Sequence, residues 1–145
     1  MSGASMEEPI WTPDMALGVP LMDDAHQALA KQISFLQHLS NEDDFDAGLA
    51  RLTDALEADF RAEEEIMEAI DYPAIRSHRE QHARVLSTLH GLRDGDHAAR
   101  RRAVELLLPW FHVHLETADT ALAAALQVAD VRFDTGPQPA AGRPA

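Results

Sequence analysis

Residues 59–82 read DFRAEEEIMEAIDYPAIRSHREQH. Asp59, Phe60, Glu63, Ile66, Met67 and Ile70 recur at the three- and four-residue spacing of a single helix face. Asp71-Tyr72-Pro73 then stops the helix, because proline cannot continue its hydrogen-bond ladder. Ile75, His78, His82, Val85, Leu89 and Leu92 set up a second face of the same period. The stretch therefore predicts two helices joined by a short turn. Each apolar stripe also carries a pair of ionisable groups four residues apart, Asp59/Glu63 on one and His78/His82 on the other.

Two further segments share that period, and no stretch shows a convincing strand pattern. The first helix spans about 21–39, with His26, Leu29, Ile33 and Leu36 inward, and Asp23 and Asp24 favour its first turn electrostatically. SNEDDFD (40–46) reads as a turn. The second helix spans about 46–70 and adds Leu49, Leu52 and Leu56 to its inner stripe. The third spans about 74–92 and is ended by Gly91 and Asp94-Gly95-Asp96. The fourth spans about 97–128, with Val104, Leu107, Phe111, His114, Leu115, Asp119, Leu122 and Leu126 inward, and Pro109 is expected to kink it or mark a restart. Four amphipathic helices with short connections predict an all-α, up-down-up-down four-helix bundle over 21–128. Residues 1–20 read as an N-terminal arm, broken by Pro9, Pro13, Gly18 and Pro20 and anchored by Trp11. Residues 129–145 read as a flexible Pro/Gly/Ala-rich tail.

Twenty-five acids against twelve bases give a net charge of −13, which disfavours phosphate backbones and anionic lipid as partners. A hydrophobic content of 46% is too high for a disordered chain. With no cysteine, disulfides, zinc–thiolate sites, iron–sulfur clusters and a thiol nucleophile are excluded. No basic, apolar leader opens the chain and no apolar run approaches a membrane span, so the expectation is a cytoplasmic domain without membrane contact.

His26, Asp59, Glu63, His78, His82, His114 and Asp119 all fall on stripes that also hold leucine and isoleucine. Burying such groups unpaired costs several kcal/mol each, so they demand mutual pairing, water or a metal. A spacing of i,i+4 presents two donors from one helix face. His114 and Asp119 are five apart, which in an α-helix sends them toward different sides of a cluster. In alternating topology all seven come to similar depths near one end of the bundle. Four imidazoles and three carboxylates without sulfur suit iron best, with manganese or zinc as other choices. Seven donors exceed the need of one ion and indicate two metals bridged by carboxylates, with Glu63 and Asp119 the natural bridges.

Each residue alone has a plainer reading. A single His26 on an apolar stripe is more often a hydrogen-bonded core histidine. His-x-x-x-His is a weak motif. Glu63 within Glu63-Glu64-Glu65 fits a solvated face, and Asp119 could pair with an arginine. The conjunction across four helices raises the metal reading above these. His38, His90, His97 and His112 fall off the layer or off the stripe and are expected at the surface.

Over residues 11–127 the chain resembles the hemerythrin family in its bacterial single-domain form. The matching features are Trp11, Leu17-Gly18-Val19 ahead of Asp23 and His26, DFRAEEEIM (59–67), Tyr72-Pro73 before His78 and His82, and Trp110 with His114 and Asp119. The resemblance implies a non-heme di-iron centre, oxo- or hydroxo-bridged, that binds O2 or related small ligands such as azide, nitric oxide or peroxide. By position it implies His78, His82 and His114 on the first iron, His26 on the second, O2-binding iron, and Glu63 and Asp119 as bridges. An apolar O2 pocket would map to Leu29, Phe60, Trp110 and Leu115. The expected function is oxygen binding, storage, delivery or sensing, by a binding protein more than an enzyme, with no protein partner indicated.

One position departs from that pattern. The family carries histidine before phenylalanine where this chain has Asp59-Phe60. Asp59 can ligate the second iron directly or through water, fall short and leave the position to water, or leave a weak second site. An anionic oxygen donor favours ferric over ferrous iron, which implies faster autoxidation and a shift from carriage toward sensing or turnover. The alternatives are thus a di-iron oxidase or a peroxide- or NO-handling enzyme of the same fold, and a metal-poor interaction bundle.

Overall fold

The computed structural model describes residues 10–129. The reading of 130–145 as a flexible tail, and that of the first nine residues as arm, lie outside them. Among the described residues every regular element is helical: α1 (Pro20–Gln37), α2 (Glu42–Ala69), α3 (Ile75–Gly91), α4 (His97–His114) and α5 (Thr120–Val128). Leu115–Asp119 forms a π turn that joins α4 to α5 without a break, so these make one rod. Helix α1 packs on α2 and α4, and α2 packs on α3. The result is the expected four-helix bundle.

Local chemistry explains the ends. Pro20 occupies the first turn of α1, where a missing N–H costs nothing. Asp23 reaches back to accept from the N–H groups of Leu17 (2.7 Å) and Gly18 (3.1 Å), and Gly18 sits at φ +82°, where only glycine is unstrained. Helix α2 begins at Glu42, within the stretch expected to be a turn. The Asn41 side chain accepts from the Asp44 N–H at 2.9 Å, and three acids in the first turn suit the positive helix end. Helix α2 closes before Pro73 is reached. Asp71, at φ +52°, donates to the Glu68 carbonyl (3.2 Å) and Tyr72 to that of Met67 (2.9 Å), a Schellman pattern. Asp96 caps α4 by accepting from the Ala99 N–H at 2.8 Å. Of the two outcomes expected at Pro109, a kink or a restart, the restart is absent: helix α4 runs on through it. A departure from α geometry comes six residues further on, at the π turn.

The interior has two apolar parts. The larger holds Ile33, Leu36, Phe45, Leu52, Leu56 and Phe111, with Trp11 of the arm packed on it. The smaller holds Val19, Met22, Met67, Tyr72, Leu122 and Leu126. On three of the rods an ionisable stripe residue falls between the two: His26 between Met22 and Leu29, Glu63 between Phe60 and Ile66, and Asp119 between Leu115 and Leu122. A polar layer is thus sandwiched in oil.

The four histidines expected at the surface divide. His38 is exposed, and His90 is half-buried. His97 is also half-buried, with its ring edge-on to Phe45 at 5.4 Å. His112 corrects the expectation outright: it is buried, and its Nε2 donates to the Ile10 carbonyl at 3.3 Å, tying the arm to α4.

Candidate metal centre

All four rods feed the layer. His26 comes from α1, Asp59 and Glu63 from α2, His78 and His82 from α3, His114 from the end of α4, and Asp119 from the end of the π turn. Six of the seven are at most 2% exposed, and the Asp59 side chain is 8% exposed. Donor atoms of Glu63, His78, His82, His114 and Asp119 lie within 4.8 Å of one another, as do those of His26, Asp59 and Glu63. The seven candidates thus form two adjoining groups with Glu63 common to both.

The two carboxylates between the groups are split atom by atom. Glu63 Oε1 faces His78 Nε2 (3.4 Å) and His82 Nε2 (3.3 Å), while Oε2 faces His26 Nε2 (2.7 Å). Asp119 Oδ1 faces His78 Nε2 (3.0 Å) and His114 Nε2 (3.4 Å), while Oδ2 faces His26 Nε2 (3.3 Å). Asp59 Oδ2 stands 3.9 Å from His26 Nε2.

The π turn is what allows Asp119 to take part. In α geometry five residues rotate by roughly 500°, leaving His114 and Asp119 about 140° apart around the axis. The wider turn, in which Thr120 N–H bonds the Leu115 carbonyl five residues back, returns both to one side. The Thr120 hydroxyl donates to the same carbonyl at 2.8 Å. The divergence expected of this pair is therefore absent, and the structure brings them to 3.4 Å.

Two further side chains, not picked out from the sequence, orient the rings. His82 Nδ1 faces Glu64 Oε2 at 2.9 Å and His114 Nδ1 faces Gln81 Oε1 at 2.7 Å. Each acceptor keeps the proton on Nδ1 and turns the Nε2 lone pair into the layer. Arg79 reaches Glu64 at 3.4 Å from α3. The one available signal was adjacency, since Glu64 follows Glu63 and Gln81 precedes His82.

Of the expected O2-pocket residues, Leu29, Phe60 and Leu115 are buried and Trp110 is half-buried. The Phe60 ring lies flat on His82 with centroids 3.9 Å apart, and Trp110 lies flat on His114 at 4.8 Å. These two rings thus cover the three-histidine group.

Charge in the layer is strongly coupled. Burial works against a charged His26 and His78, but the His26–Glu63 bond and the Glu63 and Asp119 carboxylates beside both rings outweigh it, raising each to about 9. Burial, then the negative charge of Glu63, pushes the Asp59 carboxyl up to about 8. Burial would also raise Glu63, yet the 2.7 Å hydrogen bond from His26 and the facing His78 and His82 rings hold it well below the usual carboxylate range.

Even so, the protein groups do not satisfy one another. His78, His82 and His114 Nε2, Glu63 Oε1, Asp119 Oδ1 and Asp59 Oδ2 are buried with no hydrogen-bond partner. An unmet buried polar atom costs about 1–3 kcal/mol. Six such atoms converging from three of the four rods, beside His26 of the first, fit cations bound among imidazole and carboxylate donors.

Fold and layer together define a helical-bundle protein with a buried histidine–carboxylate cation site. The family model described as Hemerythrin HHE cation binding domain matches residues 17–126. A bacteriohemerythrin of Ralstonia nicotianae is 33% identical over 113 residues, spanning 75% of this chain and 82% of that protein. The chain belongs to the hemerythrin family. Among the described residues no helix is long and apolar enough to cross a membrane.

Proposed function

We propose that the layer holds two iron ions and that the protein binds dioxygen there. His78, His82 and His114 are assigned to one ion, His26 and Asp59 to the other, and Glu63 and Asp119 to both. The observation that carries this reading is the division of Glu63 and Asp119, each with one oxygen toward the three-histidine group and the other toward His26. When bound, the iron pair supplies the electrons that let O2 be held and released.

The protein's own part is orientation and exclusion. Glu64 and Gln81 hold two imidazoles in the tautomer that offers Nε2 inward. Leu29, Phe60, Trp110 and Leu115 are assigned to a wall that keeps water from the pair. Buried carboxylates balance the added positive charge, which a purely apolar interior could not.

Asp59 favours a second use of the same site. An anionic oxygen in place of a neutral ring stabilises the ferric state, so oxidase-like turnover, or handling of peroxide or nitric oxide, competes with reversible carriage. Anaerobic loading with ferrous salt tests the main reading. Uptake of about two ions per chain is expected. A visible absorption should appear on adding O2 and fade on deoxygenation. Uptake below about one ion per chain overturns the proposal. Repeated consumption of O2 with stoichiometric product selects the second use.

A further inference from the structure

Helices α1 and α2 do not close on each other beside Asp59. A cavity of about 380 Å³ opens between them, with Asp59 and Glu63 in its wall. Its cause lies in the residues that meet there. Ala25 and Ala28 on α1 face Ala55, Ala58 and Ala62 on α2. Ala55 and Ala62 stand one turn before and after Asp59 on the same helix face. Helices in bundles pack with axes about 8–10 Å apart, a gap that larger side chains fill and opposed methyl groups do not. Leu29, Met22 and Ile66 give the cavity an apolar lining.

The size and chemistry of this space select its ligand. The space is open on its outer side, where Ala28, Ala58 and Ala62 are exposed, and its 380 Å³ gives room for one ring, since an enclosed apolar cavity of roughly 150 Å³ accepts benzene. No basic side chain lines it, whereas two acids do. An anion there would shed its water without meeting a cationic side chain, so a neutral molecule is favoured. The Asp59 side chain is only 8% exposed, and its Oδ2, already turned to the layer 3.9 Å from His26 Nε2, is closed off from solvent. A carboxylate has lone pairs on both oxygens, so it can accept from a hydroxyl and still face the layer.

We infer that the α1–α2 cavity is a binding site for a small neutral compound with an apolar body and one hydroxyl, of the size of a single-ring phenol, whose hydroxyl donates to Asp59. It rests on the di-iron reading only for what such a ligand then lies beside. The cavity and its chemistry stand apart from that reading. The site differs in place from the Leu29/Phe60/Trp110/Leu115 wall, sharing Leu29 alone with it.

Calorimetric titration of the iron-loaded protein with phenol, and with benzoate as an anion of similar size, tests this. One phenol per chain is expected, with benzoate at least about tenfold weaker. Ala28→Phe, and separately Ala62→Leu on the opposite wall, fill the cavity from exposed positions. Each should weaken phenol by about tenfold or more while the helical circular dichroism and the iron content stay as in the parent. Crystals soaked in phenol should show the ring between α1 and α2 with its hydroxyl on Asp59. Absence of phenol binding, equal binding of benzoate, or indifference to both substitutions overturns the inference. Phenol binding lost in the variants of a protein that takes up no iron would leave the cavity assignment standing and remove the di-iron reading. Full iron uptake without phenol binding does the reverse.

Discussion

Metal uptake should expel protons in a countable number. Before loading, His26 and His78 titrate at about 9 and Asp59 at about 8, each raised above its ordinary value. At pH 7 the two imidazoles and the carboxyl therefore still carry their protons. A ligating nitrogen or carboxylate must be free of its proton. Those three groups thus release about three protons per chain on full loading at pH 7. The sign follows: protons compete with the ion, so affinity rises with pH. With three protons leaving, the overall binding constant changes by about a thousandfold per pH unit around pH 7. The dependence flattens as pH climbs through 8 and 9, where the groups have lost their protons already. Anaerobic addition of ferrous salt to weakly buffered protein with a pH indicator measures the release. Calorimetry in two buffers of different ionisation enthalpy checks it. Asp59→Asn removes one titrating group and should lower the count by about one. Release of fewer than about one proton at pH 7, or an unchanged count in Asp59→Asn, refutes the reasoning.

Three other outcomes can be checked directly. Gln81→Leu deprives His114 Nδ1 of its 2.7 Å acceptor and should weaken metal binding by about 10–100-fold, read by competition with a chelator. Asp59→His, which replaces the anionic donor by an imidazole, should slow loss of the oxygenated absorption band several-fold; an identical decay rate contradicts the role given to Asp59. Leu56→Ala, at a fully buried position of the larger core, should cost about 2–5 kcal/mol in urea unfolding of the loaded protein.

The bundle was legible because the sequence places apolar residues at one period four times over. The cation layer was legible because seven ionisable residues interrupt those same stripes. Both signals are global, since they sum over many residues and survive errors at any one of them. The parts that escaped are local exchanges of backbone bonds. Helix α2 starts at Glu42 because one Asn41 oxygen meets one N–H. Its end before Pro73 was expected, but the left-handed Asp71 that closes it, a conformation more usual for glycine or asparagine, was not. His112 lies within the fourth helix one residue after Phe111, and its burial depends on an arm whose path no helical period describes.

The π turn shows how a local exchange can decide a global signal. Read as an α-helix, residues 115–119 carry Asp119 away from His114, and the cluster loses a carboxylate shared between its two groups. Nothing in Leu115-Glu116-Thr117-Ala118-Asp119 departs from ordinary helical composition. The five-residue spacing was itself the clue. His114 and Asp119 both sit on the apolar stripe, together with Phe111 before them and Leu122 after. A strict 3.6-residue helix cannot keep all four inward without strain on the stripe. One widened turn keeps them inward, and the Thr120 N–H and hydroxyl both meet the Leu115 carbonyl that the widening displaces. The inward demand of a buried carboxylate and of the leucines beyond it thus sets the local helix geometry here, rather than the reverse.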